Sequence, residues 1–278
     1  MRVPTPQGRV SVLILIQLLA VLAMSAESPV RLLFDEPLHL TRQVSDPISG
    51  TTSRLEEYCV GNRVVSIRDA RTSIADYDKG TLTEIDRAKG TYSVTSFDAI
   101  ARALPEPAAP SNRKSGVPAS PEVVDAGVRP VGNRAGHAFE ARIVDPQASR
   151  KVEVVVDQQL KLSREAVEVL VGAAFPLRRS AESDIAITAA GRDRVAGKAG
   201  SGLERDHALP LEQTVTWEID GETLRVENRV VRVGSESPPP DLIAIPPGAQ
   251  LVESDIVLRK RMLEELDRLP NTAPTPAP

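Results

Sequence analysis

The feature that most constrains the fold is a run of short, β-branched segments between Arg54 and Phe97. The five segments are RLEEYCV, RVVSIRD, TSIADYD, TLTEID and TYSVTSF, with turn residues between them. Two of the turns end in Gly80 and Gly90, and glycine readily adopts the positive φ that a hairpin turn requires. The motif D-x-x-K-G-T-[L/Y]-[T/S] occurs twice, offset by 10 residues, the length of one strand plus one turn. This pattern predicts an antiparallel meander.

Two further hairpins are predicted in the second half of the chain. In GHAFEARIVD, apolar and polar side chains alternate, and KVEVVVD follows after an Asp-Pro turn. LEQTVTWEID and TLRVENRVVRV flank Gly221-Glu222, so that Val215, Trp217 and Ile219 point to one face of the predicted strand. Alternation of this kind is typical of strands with one buried face.

Helices are predicted after residues that can cap them. Thr95 or Ser96 precedes FDAIARAL, Ser163 precedes an apolar stripe at helical spacing, and Ser254 precedes the last predicted helix. Residues 180–205 have weak periodicity and are predicted to form a poor helix and a flexible loop.

Three segments are predicted to lack regular structure. Prolines at 29, 37 and 47 disfavour a strand or helix in 27–50, and six prolines make 105–134 a disordered linker. The tail 270–278 is disordered by composition. We therefore predict one β-rich domain whose two parts, 27–104 and 135–269, are separated by the linker.

Residues 1–26 have the features of a secretory signal peptide. Arginines precede a 15-residue apolar run at 10–24, and small residues predict cleavage after Ser25 or Ala26. An uncleaved signal anchor is the alternative, but the run is shorter than the roughly 20 residues that span a bilayer. We expect a periplasmic or secreted protein with no transmembrane span after cleavage.

Composition and spacing argue against several function classes. The formal net charge is −4, whereas a nucleic-acid partner requires clustered positive charge. Cys59 is the only cysteine, which excludes an intramolecular disulfide and, within a strand, favours a buried apolar role over a nucleophile. His39, His137 and His207 are too far apart in the sequence for a zinc motif. We nominate no catalytic residue, metal ligand or cofactor, and we expect a protein that is not an enzyme.

Three phrases, in their order behind the signal peptide, resemble the periplasmic lipoprotein-carrier superfamily, the Lol-type half-barrel proteins. The stretch from YCVGNRVV to TYSVTSF is similar to the strand run of that family. GHAFEARIVD with KVEVVVDQQLKLS resembles its later hairpin, and LPLEQTVTWEIDGETLRVENRVVRV with DLIAIPPGAQLVES is similar to its closing hairpin and IP-x-G ending. The likeness covers residues 54–100 and 136–253.

This resemblance implies an α+β fold, in which helices cover the concave face of a strongly curved antiparallel sheet, a half-barrel. Family members with known roles hold acyl chains or other apolar groups between sheet and helices, without covalent chemistry. The resemblance therefore implies a non-enzymatic binder of a lipid, an acyl chain or an acylated protein.

The candidate lining of such a site is Tyr92, Phe139, Val215 and Trp217, because each is apolar within an alternating strand. The alternative role for these four side chains is ordinary core packing. The alternative function is a structural or accessory module of the cell envelope without a ligand cavity. No feature of the sequence selects an oligomeric state.

Overall fold

Twelve strands within the described part of the chain form one open sheet, which is antiparallel except at one edge. The structure is a computed structural model, and the chain from Leu33 onward forms one compact unit. The predicted signal peptide at 1–26, residues 105–120 of the predicted linker and the predicted tail 270–278 lie outside the described residues. The described stretches are 32–45, 49–104, 121–144, 149–172, 180–192, 207–219 and 221–268.

The strand order across the sheet is β12-β6-β5-β4-β3-β2-β1-β11-β10-β9-β8-β7. Strand β1 pairs with β2 on one side and with β11 on the other, so it joins the β2–β6 half to the β7–β11 half. The five segments of the meander form β2 to β6 in antiparallel register, and that prediction is confirmed. The strands are β1 Phe34–Ser45, β2 Thr52–Gly61, β3 Arg63–Arg68, β4 Arg71–Asp76, β5 Thr81–Asp86, β6 Thr91–Ser96, β7 Val124–Val131, β8 Arg134–Val144, β9 Ser149–Leu162, β10 His207–Ile219, β11 Glu222–Gly234 and β12 Gln250–Leu251.

Five helices accompany the sheet in the described residues. The hydroxyls of Ser96 and Ser163 accept hydrogen bonds from backbone N–H groups in the first turns of two helices, as their N-cap positions predict. The third helix lies in the segment expected to form a poor helix, yet most of its apolar side chains are buried. The helices are α1 Phe97–Ala103, α2 Arg164–Val171, α3 Ala181–Arg192, α4 Pro240–Ile243 and α5 Asp255–Arg268. None of them is long and apolar enough to cross a membrane.

The sheet has two faces, because successive side chains of a strand point in opposite directions. We name them after two neighbours on β1. The Leu40 face carries Leu40 and the residues that continue its register across the sheet; the His39 face carries His39 and its counterparts.

The main core lies on the Leu40 face under α2 and α3. Leu170 of α2 packs in one cluster with Leu40 and Leu209, and Ile185 of α3 packs in a second cluster with Val154. On the His39 face, a smaller cluster forms where Leu242 and Ile243 of α4 pack against three buried side chains of β2 and β3. These are Tyr58, Val65 and Ile67.

The expectation that 27–50 lacks regular structure is wrong for β1, the central strand. Pro37 lies where the register with β2 shifts between Phe34 and Leu38, and pairing with β11 begins only at His39. A proline is tolerated at such an irregularity because the ladder does not require its missing N–H there. Pro37 therefore marks a bulge in the strand.

The prediction that 105–134 is a disordered linker is also wrong for its second part, which contains β7 and the start of β8. β7 is the edge strand of the sheet and pairs only with β8. Pro130 is tolerated in it because an edge strand has one side without ladder partners. Val124 and Val128 are exposed, so this strand needs few buried side chains and lacks the apolar signal of a central strand.

Candidate functional site

The β2–β6 half of the sheet has a cavity of about 290 Å³ on its Leu40 face. A second cavity of about 320 Å³ adjoins it, and Arg71 and Glu84 line both. The second cavity is closed at the sheet edge by the chain that links β12 to α5. The first is lined by Leu55, Glu57, Val64, Ser66, Arg68, Arg71, Ser73, Ala75, Leu82 and Glu84.

Three rows of side chains run across the strands beneath these cavities. The first, the apolar row, is almost inaccessible to solvent, and three of its four members belong to the same core cluster as residues of α2. The second, the polar row, and the third, the charged row, lie further along the strands. The apolar row is Cys59, Val64, Ala75 and Leu82; the polar row is Glu57, Ser66, Ser73, Glu84 and Ser93; the charged row is Arg68, Arg71, Asp86 and Thr91.

A buried ion pair forms the inner wall of the first cavity. Arg42 donates from its Nε to Glu57, and both side chains are about 95% buried. Arg42 Nη1 is 3.5 Å from the Asn228 side-chain oxygen, while its Nη2 is buried without a hydrogen-bond partner in the described residues. Burying two charges is costly unless they pair, so each side chain requires the other.

Glu84 lies between the two cavities and accepts hydrogen bonds from hydroxyl groups. Ser93 Oγ is 3.4 Å and Ser254 Oγ is 3.3 Å from its Oε2. Ser254, placed just before α5, thereby connects the sheet to the last helix. The Glu84 carboxylate has hydroxyl partners and forms no ion pair with a described residue.

The charged row carries two arginines directly opposite each other. Arg68 ends β3 and Arg71 begins β4, and the two are paired across the hairpin. Arg71 Nε is 3.4 Å from Asp86 Oδ2, which also lies near Lys89. Arg68 is exposed and forms no hydrogen bond or ion pair with any described residue. The hairpin therefore presents one compensated and one uncompensated guanidinium to the cavity.

This arrangement suits non-covalent binding. Cys59, in the apolar row, is fully buried, and burial, reinforced by the nearby Glu57 carboxylate, raises the pKa of its thiol far above the usual range. The thiol therefore stays protonated and buried, as expected for an apolar role. Within the described ranges, no group of three His, Cys, Asp or Glu side chains is arranged to hold a metal.

The four side chains nominated from the sequence do not form one site. Phe139 and Val215 are buried on the Leu40 face of the β7–β11 half, and the partly buried Trp217 packs against the same cluster beneath α3. Tyr92 is on β6, in the other half, and contributes to the wall of the second cavity. The cavities therefore lie far along the sheet from the other three residues.

A second polar cluster, on the His39 face, had no signal in the sequence. The ring nitrogens of His39 are 2.6 Å from Glu56 Oε2 and 3.0 Å from Glu236 Oε2, and the ring stacks on Tyr58 at 4.1 Å. Burial alone would raise the pKa of Glu56, but hydrogen bonds from Thr41, His39 and Arg54 outweigh it and lower the pKa.

His39 has a carboxylate oxygen within hydrogen-bond distance of each of its ring nitrogens. It joins the sheet to Glu236, which lies just before α4. The two carboxylates of this cluster, Glu56 and Glu236, are 17 and 197 residues away from His39 in the chain. Only the register of β1 between β2 and β11 brings them together.

Comparison with known proteins adds little to this geometry. No family model matches the chain. No curated protein matches it. One solved structure that resembles it is described as "Structure of PNGF-II in C2 space group", with a TM-score of 0.35 and 9% sequence identity. The match covers 81% of this chain and 33% of that chain, so the chain spans about a third of that structure's length. A likeness at this level carries no argument about the fold or the function.

Proposed function

We propose that this chain is an exported, non-enzymatic binding protein of the cell envelope that holds a small amphiphile on the Leu40 face of β2–β6. The observation that carries the proposal is the cavity of about 290 Å³, whose floor is apolar and whose far wall is charged. Ligand sites are typically concave and apolar, with a few polar groups that orient the ligand. An acyl chain with a polar head matches this division.

The class of ligand comes from the resemblance to lipoprotein carriers, and its location comes from the cavity. The half-buried Leu55 offers aliphatic surface to a chain, with the buried Val64 and Leu82 also in the lining, while the charged row offers contacts to a head group. In this proposal the open sheet is a half-barrel, with α2 and α3 over its concave Leu40 face. The proposal moves the site from the nominated Phe139 and Trp217 to the other half of the sheet.

A structural or accessory module without a ligand is the second candidate. It is favoured by the packing of Phe139 and Val215 under α3, which leaves both side chains almost inaccessible to solvent. If the cavity half packs equally tightly in solution, the protein has no room for an amphiphile. The two candidates therefore differ in whether filling the cavity changes any binding.

The test is native mass spectrometry of protein purified from the envelope fraction, under mild and then denaturing conditions. We expect a chain that begins near Glu27 and carries a lipid-sized mass that denaturation releases. A Ser73→Phe variant, which places a ring inside the cavity, should lose the added mass. Val94→Phe is the matched control, because Val94 is exposed on the neighbouring part of the His39 face.

Three outcomes decide between the candidates. Loss of the ligand in Ser73→Phe and its retention in Val94→Phe support the amphiphile site. Retention in both variants contradicts it. A bare chain from wild-type cells, which also takes up no added octyl amphiphile, favours the structural module.

A further inference from the structure

The paired arginines at the β3–β4 hairpin are unusual because one of them, Arg68, forms no hydrogen bond or ion pair that stabilises the described fold. Arg68 and Arg71 are directly opposite across two antiparallel strands, which brings their Cβ atoms to within about 5 Å. Like charges in this position destabilise a sheet. Asp86 compensates Arg71, whereas Arg68 has no partner among the described residues.

The other charged groups around the first cavity do not compensate Arg68. Glu57 forms an ion pair with the buried Arg42. Glu84, which is on the polar row, accepts hydrogen bonds from Ser93 and Ser254. Asp69, in the turn itself, adopts a positive φ of 52°. The cavity mouth therefore keeps one exposed positive charge next to a second one.

We infer that the guanidinium groups of Arg68 and Arg71 together hold the anionic head group, a carboxylate or a phosphate, of the amphiphile bound in the cavity. This inference rests on the proposed function and adds the head-group chemistry to it. Guanidinium donates parallel hydrogen bonds that match the oxygens of both anions. An oxyanion between the arginines replaces their mutual repulsion with two attractions, and the chain then extends into the cavity.

We therefore predict that one substitution at this pair weakens ligand binding without lowering the stability of the fold. Arg68→Gln removes a repulsive charge that has no partner, so the thermal midpoint should stay unchanged or rise. The same change should weaken the binding of an alkyl oxyanion by about tenfold, the effect of losing one charged hydrogen bond. Arg225→Gln is the control, because Arg225 is also exposed, on β11 in the other half.

The experiment is isothermal titration calorimetry of the purified protein with four probes. Octyl phosphate and octanoate have the same chain and different anions; octyltrimethylammonium has the same chain and a cation; inorganic phosphate has no chain. All are used below their critical micelle concentrations. We expect both octyl anions to bind wild type and Arg225→Gln with equal affinity and Arg68→Gln about tenfold more weakly. Binding of octyltrimethylammonium should not decrease in Arg68→Gln.

The outcomes distinguish this inference from the proposed function. If Arg68→Gln binds both octyl anions as tightly as wild type, the arginine pair is not the head-group site, while the chain-binding cavity stands. If inorganic phosphate binds as tightly as octyl phosphate and depends on Arg68, the anion site stands and the amphiphile proposal fails. If no probe binds wild type, both are overturned.

Discussion

The two halves of the sheet differ in how their side chains are covered. In the β7–β11 half, long strands place valine and alanine side chains under α2 and α3, and the opposite face carries ion pairs around the partly buried Glu153 and Glu212. In the β2–β6 half, the ten-residue β2 is followed by four six-residue strands, and α4 covers part of the His39 face instead. One half is packed by helices, and the other keeps a cavity.

The difference shows how one sheet provides both stability and a binding surface. Val64 and the other members of the apolar row are almost inaccessible to solvent, whereas Ser66 on β3 is only partly buried, so the lining of the cavity changes from apolar to polar between Val64 and Ser66. A buried ion pair and paired hydroxyls lie in this half, where the β7–β11 half has aliphatic side chains. The predictions below compare matched changes in the two halves.

The largest expected effect comes from the buried ion pair of the cavity half. Glu57→Leu leaves Arg42 buried without its partner, which should lower the free energy of unfolding by about 3–5 kcal/mol in urea denaturation. The double variant Arg42→Met/Glu57→Leu should recover most of this loss, because no charge then remains unpaired. Glu227→Leu, which breaks the exposed pair with Arg225 in the other half, should cost at most about 1 kcal/mol. If Glu57→Leu and Glu227→Leu lower the free energy of unfolding equally, the conclusion that Arg42 and Glu57 form a buried ion pair is contradicted.

Truncating one leucine in each half tests the difference in packing directly. Leu209 is fully buried on β10, and Leu209→Ala should lower the free energy of unfolding by about 2–5 kcal/mol. Leu55 is half-buried at the cavity, so Leu55→Ala loses fewer contacts and should cost about 1 kcal/mol or less. Urea denaturation measures both. A loss in Leu55→Ala as large as that in Leu209→Ala would mean that the cavity is closed in solution.

A third comparison concerns two histidine–carboxylate clusters and acid stability. A hydrogen bond from His39 lowers the pKa of Glu236 below its ordinary value of 4.5. A carboxyl with a lowered pKa in the folded state stabilises the protein above its unfolded pKa, and this stabilisation is lost as the pH falls through the folded pKa. The loss should therefore begin near pH 4.5 and continue below it.

His39→Gln should flatten the fall in stability between about pH 5 and pH 3, measured as urea midpoints across that range. His137→Gln is the matched change in the other half, where one exposed carboxylate, Asp125, accepts from the ring at 2.9 Å. Its effect should be smaller, because it involves one carboxylate rather than two. An unchanged acid profile in His39→Gln would show that the His39 cluster does not contribute.

The smallest effects are expected at the helix caps, one in each half. Ser163→Ala and Ser96→Ala each remove the acceptor of a backbone N–H, at 3.1 Å and 3.2 Å respectively. Each should lower the free energy of unfolding by about 1 kcal/mol, and Asp at either position should retain the stability. A loss on replacement with Asp as large as that with Ala would show that the hydroxyl serves another contact.

Local signals account for the parts of the fold that were predicted well. The meander was predictable because each strand is followed by its own turn, and Gly80 and Gly90 adopt the positive φ that their turns require. Ser163 was predictable as an N-cap because the helix it begins immediately follows it.

Non-local partners account for what was missed. β1 was missed because its pairing with β2 and β11 outweighs the irregularity at Pro37. β7 was missed because an edge strand takes its register from β8 and buries little of its own surface. His39 was weighed only for zinc motifs, since Glu236 is 197 residues away.

The sequence by itself determined the periodicity of this protein: which residues alternate, where turns and caps occur, and therefore that the chain forms antiparallel strands with a few helices. Those properties depend on neighbours within about 10 residues, where backbone sterics and local hydrogen bonds decide. The tertiary structure decided which side chains of each half are buried and where the cavity lies. Burial depends on residues distant in the chain, so only the packed sheet turns a row of alternating side chains into either a core or a cavity.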